Sequence, residues 1–319
     1  MSNNLSYFYS TEIHSKEQRL ANFILIGLFV SLGILFRRIK TFPNETAQTL
    51  NMFALYVSLP AVILLKAPGL SLTGETVVAA IVPWCMLLLS AATILLLAKR
   101  CNWSRPTTGV LMLVVPLGNT SFMGVPMVNA FFGESGIPHL ILYDQIGTML
   151  IFATYGSAIL AYYSGEKSGA KTMVRRALLF PPTLALLAGL LFRNASYPEA
   201  MVDILHSLSG TLTPLVMTAI GFQMTLRLRP TTLAPLGTGL AIKLLLAPVF
   251  ALLGCRLLGI DGLAADIAIF EAGMPPMVTA SALAAAAGMG VELAIALAGL
   301  GIVLAFVSLP LLYALIQFF

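Results

Sequence analysis

Ten apolar runs fill the 319 residues, at about 20–36, 47–66, 76–98, 107–132, 137–163, 177–193, 200–222, 232–257, 262–288 and 291–317, joined by short connections. Each approaches the ~20 residues that a helix needs to cross the hydrocarbon of a bilayer. No other feature limits the chain so strongly. A bilayer offers no water to unpaired N–H and C=O groups, so segments of this length span it as helices. Composition leaves no alternative in water: 58% of the residues are hydrophobic and 10% charged, whereas a soluble domain carries roughly 25% charged residues. The sequence therefore reads as an all-α polytopic membrane protein of ten transmembrane helices, with no room for a soluble domain.

The cations give the spans a direction. Twelve of the eighteen Lys and Arg residues fall in loops after odd-numbered spans, among them Arg37, Arg38, Lys99, Arg100, Lys167 and Arg176. Five (Lys16, Arg19, Lys66, Arg193 and Arg256) fall on the other side, and Lys243 alone lies within a span. Basic loops stay in the cytoplasm. Both chain ends are then expected outside, in a multi-pass protein of the cell (inner or plasma) membrane. The first apolar run lacks a small-residue cleavage site and reads as a retained span. Cys85, Cys101 and Cys255 have no C-x-x-C spacing and read as free thiols.

The fourth run contains "VVPLGNTSFMGVPMV" (Val114 to Val128), with two prolines, two glycines and an Asn-Thr-Ser sequence. Proline inside a helix removes a hydrogen bond and clashes with the preceding turn. The ninth run contains "EAGMPPM" (Glu271 to Met277). Asn119 lies ~13 residues into its span, or about 20 Å, and Glu271 ~9 residues in, or about 14 Å. Both depths fall near the centre of a core ~30 Å thick. Irregular backbone at that depth is tolerated only when buried in protein or lining an aqueous cavity.

An internal repeat relates the two breaks. "GILFRRIKTFP" (Gly33 to Pro43) resembles "GLLFRNASYP" (Gly189 to Pro198), and "PMVNA" (Pro126 to Ala130) resembles "PMVTA" (Pro276 to Ala280). Each half holds five spans, an odd number, so the halves insert in opposite orientations. Inverted repeats with corresponding broken spans point to a secondary transporter with a midplane site. The half-helix N-termini meeting there would suit a carboxylate.

The stretches "GNTSFMGVPMV", "TPLVMTAIGFQM" (Thr213 to Met224), "KLLLAPVFALL" (Lys243 to Leu253) and "MPPMVTASALAAAAGMGVELA" (Met274 to Ala294) resemble the auxin efflux carrier family in its bacterial branch. The resemblance implies two inverted five-helix repeats, over residues 1–165 and 166–319, with crossing broken helices four and nine. It implies an elevator-type movement of helices 3–5 and 8–10 against a scaffold of helices 1, 2, 6 and 7. The implied substrates are small organic anions: malonate, malate and related dicarboxylates, or auxin. By the same resemblance Asn119 lies near the substrate carboxylate, and Pro126 and Pro276 form the crossover. "EAGM" departs from the family and resembles the second crossover of the bile-acid:sodium symporters, whose glutamate helps hold sodium. The alternative it raises is a sodium-coupled symporter of a larger organic anion.

Candidate substrate contacts are Asn119, Thr120, Ser121, Gly124, Pro126, Pro275 and Pro276. Asn119, Thr120 and Ser121 supply donors and acceptors beside freed backbone groups, and also suit the capping of a half-helix. Gly118, Gly124 and Gly273 permit tight turns and close helix approach. Candidates for ion or proton coupling are the ionisable groups within spans, Glu271, Asp144, Asp266 and Lys243, because such groups are expensive in a membrane. No metal site and no cofactor is expected, beyond sodium or a proton as coupling ion. The expected partners are the anion and the lipid bilayer, with a homodimer left open and no nucleic acid. An intramembrane enzyme finds no support: H-E-x-x-H is missing, and "SLSG" (Ser207 to Gly210) lacks the leading glycine of a G-x-S-G motif. A channel could also use broken helices, but opposed breaks in inverted halves favour alternating access.

Overall fold

The computed structural model describes residues 21–22, 24–70, 74–164, 175, 179–193, 197–223 and 230–319. Of the cations used to orient the chain, Lys16, Arg19, Lys167, Lys171, Arg176, Arg227 and Arg229 lie outside these residues. The described residues form helices and short connections, with no β-strand among them.

The chain opens with helix α1 (residues 24–38). Next come α2 (Thr46–Gly69) and α3 (Gly74–Arg100). The fourth apolar run is two helices, α4 (Arg105–Val114) and α5 (Val125–Phe132), with a single widened turn, Thr120–Gly124, leading into the second. Then follow α6 (Glu134–Tyr163), the short α7 (Pro181–Leu191), α8 (Glu199–Gln223) and α9 (Thr232–Leu257). The ninth run is again two helices, α10 (Leu263–Ala272) and α11 (Val278–Ala286), and α12 (Val291–Phe318) closes the chain.

Among the described residues, α2, α6, α8, α9 and α12, with Thr76–Arg100 of α3, make six helical stretches long and apolar enough to cross a membrane. Their outward faces carry exposed side chains such as Leu88, Leu96, Leu257 and Leu311. In water these would form an aggregating surface; against lipid they need no cover.

Proline shapes several of these helices. Widened π-type turns at Ala54–Ser58, Thr120–Gly124 and Ile242–Leu246 each end two residues before a proline, at Pro60, Pro126 and Pro248. Widening the turn gives room to the ring that would otherwise strike the preceding carbonyl.

Two sets of helices emerge from the packing. Helices α7 and α8 pack on α2. A methyl group on Gly33 of α1 would collide with the Thr218 carbonyl of α8, and one on Gly221 with the Val30 carbonyl, so α1 and α8 touch backbone to backbone. Gly189 of α7 also sits close on α2, against a side chain: its would-be Cβ lies 2.5 Å from the Ala67 methyl. Small residues allow such close approach where apolar burial gives no drive. In the other set α3 packs on α4, α6, α9 and α10, and α12 on α4, α9, α10 and α11.

Candidate functional site

The two interruptions meet. The Asn119 N–H donates to the Pro275 carbonyl at 2.7 Å, and the Met277 N–H to the Leu117 carbonyl at 2.9 Å. Gly118 and Pro276 thereby face each other in a single antiparallel bridge. Backbone groups freed by one break are satisfied by the other, which answers how broken helices survive in this core. Beyond the crossing, the Asn119 carbonyl accepts from the N–H groups of Met123 and Gly124.

The expectation that Pro126 forms the crossover is corrected. Leu117 to Asn119 makes the crossing, while Pro126 sits in the first turn of α5, where its fixed φ suits a helix start. Pro276 faces Gly118, so the "PMV" match between the halves is out of register with the crossing. Pro275 and Pro276 do lie in it, and a Cβ at Gly301 would fall 2.7 Å from the Pro276 ring.

A cavity of about 190 Å³ opens beside the crossing, lined by Asn119, Thr120 and Ser121 together with Phe152, Phe180 and Thr279 among others. Gly124, Pro126, Pro275 and Pro276 do not line it. The Asn119 amide nitrogen is buried without a hydrogen-bond partner. A second cavity, of about 590 Å³, shares Leu55, Phe122 and Thr279 with the first and reaches Gln48, Asn51 and Gln223, at the end of the helices that carries Arg37 and Arg100. A third, of about 300 Å³, lies toward the other end, under the Lys66–Glu134 ion pair at 2.6 Å, with Val125 and Asn129 in its wall.

Four ionisable candidates have different surroundings. Asp144 is buried on a widened turn of α6, Tyr143–Met149. Its Oδ1 accepts from the Thr120 hydroxyl at 2.5 Å and the Ser121 hydroxyl at 2.8 Å, and its Oδ2 from the Gln145 amide at 2.6 Å. Glu271 is completely buried, both carboxylate oxygens lack a hydrogen-bond partner, and they rest against Gly124, where a Cβ would lie 2.7 Å from Oε1. Lys243 is buried on the widened turn of α9, its ammonium 3.2 Å from the Cβ position of Gly118. The crossing thus runs between a buried cation and a buried acid, and Glu271 lies within electrostatic range of both Lys243 and Asp144. Asp266 is not brought to the crossing: it pairs with Arg256 at 2.9 Å, in a network with Asp261 at the helix ends.

Residue types alone did not single out Gln145, Thr183, Asn51 or Ser281. Gln145 accepts from Thr183 of α7 at 3.3 Å and so ties Asp144 to the other set of helices. Asn51 and Ser281 place unpartnered oxygens at the second cavity. The available signal was a polar pair, Asp144-Gln145, within an apolar run. No group of His, Cys, Asp and Glu among the described residues could hold a metal ion.

Apolar helices with lipid-ready faces, two of them broken and joined beside a cavity whose mostly apolar wall carries Asn119, Thr120 and Ser121, fit a multi-pass membrane transporter. The comparison with known sequences agrees and is more specific: the chain belongs to the membrane transport protein family, that of the auxin efflux carriers, whose profile matches residues 22–313. It is 30% identical over 287 residues to an uncharacterized transporter of Methanothermobacter thermautotrophicus, covering 89% of this chain and 94% of that one. It is 26% identical over 270 residues to an uncharacterized transporter of Methanocaldococcus jannaschii, covering 79% and 82%.

Proposed function

We propose that this transporter is a secondary active carrier of a small organic anion, a carboxylate, dicarboxylate or auxin-like molecule, working by alternating access of the elevator type. One observation carries the reading: Asn119, whose amide nitrogen is buried without a partner, stands in the wall of a cavity at the point where two broken helices pair. The second half-helices there begin with N–H groups that have no intrahelical partner, and their dipoles favour negative charge. With Asn119, Thr120 and Ser121 they would hold the carboxylate, and Gly124, Pro126, Pro275 and Pro276 would shape the backbone around it.

Ten spans in two inverted halves are part of the proposal. Its support is contact symmetry. Helix α1 touches α8 at Gly33 as α7 touches α2 at Gly189, and these glycines head the sequence repeat. The two bonds of the crossing exchange under the same relation. Ser58 of α2 and Thr211 of α8 meet at 2.6 Å across what would be the pseudo-two-fold axis. The moving body would be α3–α6 with α9–α12, sliding on α1, α2, α7 and α8. The basic end would face the cytoplasm, with both termini outside, in the cell membrane.

The coupling ion would be a proton or sodium, handled by Glu271 and Asp144 with Lys243 as counter-charge; Asp266 stands apart with Arg256. In the alternative, a sodium-coupled carrier of a larger anion, the two unpartnered Glu271 oxygens would be the sodium ligands. Counterflow into liposomes with a panel of mono- and dicarboxylates, with and without sodium and a pH gradient, tests the function. Saturable, trans-stimulated uptake of one carboxylate supports it; uptake that never saturates, with single-channel current, refutes it.

A further inference from the structure

Thr120 and Ser121 are in the wall of the cavity in which a carboxylate would sit. Each hydroxyl has one hydrogen to give. Both hydrogens are already given to Oδ1 of Asp144. Facing an Asp144 carboxylate, the two hydroxyls therefore turn only lone pairs toward the cavity, with a buried negative charge behind them. The Asn119 amide nitrogen is then the one side-chain donor of this trio free for a ligand. Such a wall accepts hydrogen bonds and repels an anion.

A proton on Asp144 Oδ1 reverses this. The new O–H donates to a hydroxyl oxygen, most directly that of Thr120 at 2.5 Å. That hydroxyl can no longer donate to Oδ1, and its own hydrogen rotates into the cavity beside the Asn119 amide. No heavy atom has to move. The proton comes from water, no bond other than O–H changes, and the wall gains one donor and loses one negative charge. We propose that Asp144 is the proton switch of the site: its protonation turns the Thr120 hydroxyl from acceptor to donor, so that each bound carboxylate brings one proton with it. The inference rests on the carboxylate reading above and gives Asp144 a role that Glu271 does not share.

The surroundings of Asp144 suit this role. Three hydrogen bonds replace water around the carboxylate, and no cation forms an ion pair with it among the described residues. Of the other charged and titratable groups, Glu271 from α10 lies within electrostatic range of Asp144, and Lys243 from α9 and Tyr143 lie within range of Glu271. The Gln145 amide, held in turn by Thr183 of α7, fixes the second carboxylate oxygen, so the exchange is confined to Oδ1.

The test is equilibrium binding of radiolabelled malonate and of auxin to the purified full-length protein, across pH values above the probes' own titration. Binding by the wild type should weaken about tenfold for each pH unit above the titration of Asp144, as one linked proton requires. Asp144→Asn, whose amide can both give and accept, should bind with an affinity that does not change over the same range. Thr120→Ser should keep the pH slope and Thr120→Val should lose it. An Asp144→Asn protein with the wild-type slope overturns the switch while leaving the carboxylate reading standing. Failure of both probes to bind the wild type at any pH overturns the carboxylate reading itself. If Asp144→Asn does not fold, proton uptake by the wild type in weak buffer decides: one proton taken up per carboxylate bound supports the switch, and none refutes it.

Discussion

Asn119 and Glu271 stand out at the level of single residues because each is a buried polar group with an atom left unpaired, in a core where most such atoms find partners. Asn119→Ala should weaken carboxylate binding by roughly 1.5–3 kcal/mol, or about one to two orders of magnitude, the worth of a hydrogen bond to a charged group. Ligand-dependent thermal stabilisation measures it, and stabilisation equal to wild type in folded protein would contradict it. Glu271→Gln should leave substrate exchange and the proton linkage through Asp144 intact and abolish accumulation driven by a sodium gradient. A variant that still concentrates substrate on that gradient would make Glu271 structural. Both residues were legible in the sequence, since a polar group mid-span is conspicuous against apolar neighbours. The hydroxyl–Asp144–Gln145–Thr183 chain was not, because its members lie on three different spans and only folding brings them together.

Hydropathy located the helices well, because the bilayer length sets them, and the breaks were marked by Pro and Gly in "VVPLGNTSFMG" and "EAGMPP". Register was harder to read. The repeat "PMV" suggested that Pro126 and Pro276 are counterparts, yet backbone pairing matches Pro276 with Gly118, since hydrogen bonds, not residue identity, decide which segments cross. The widened turns before Pro60, Pro126 and Pro248 were also hidden, because proline identifies a disturbance without fixing how the helix absorbs it. Two predictions belong at this scale. Gly221→Leu should disrupt the contact of α1 with α8, since even a methyl there collides with the Val30 carbonyl. Size-exclusion profile and melting temperature are the measurements; an unchanged pair of values would mean the helices do not touch there. Gly124→Ala should cost about 1–3 kcal/mol of stability, as overpacking does, because its Cβ would lie 2.7 Å from Glu271 Oε1. Chemical denaturation of Gly124→Ala alone and with Glu271→Ala would show the loss relieved in the double variant.

Across the whole molecule, the cavities lie on both sides of one crossing. The first two open along Thr279 toward the end with Gln48 and Gln223, while the third, walled by Asn129, is capped by Lys66 and Glu134. That cap joins α2 to the start of α6, one helix from each packing set, and an exposed ion pair of this kind contributes only about 0–1 kcal/mol. Under the proposed elevator movement it would break and re-form. The central claim is that the crossing is reached from one end at a time. It is tested most directly by labelling single cysteines, Thr279→Cys and Asn129→Cys, from each side of the membrane with an impermeant maleimide, with and without a transported carboxylate. The account predicts reciprocal change: substrate turnover should shield Thr279→Cys on the cytoplasmic side as it exposes Asn129→Cys on the outer side. Simultaneous labelling of both positions through one continuous aqueous path, unaffected by substrate, would contradict it.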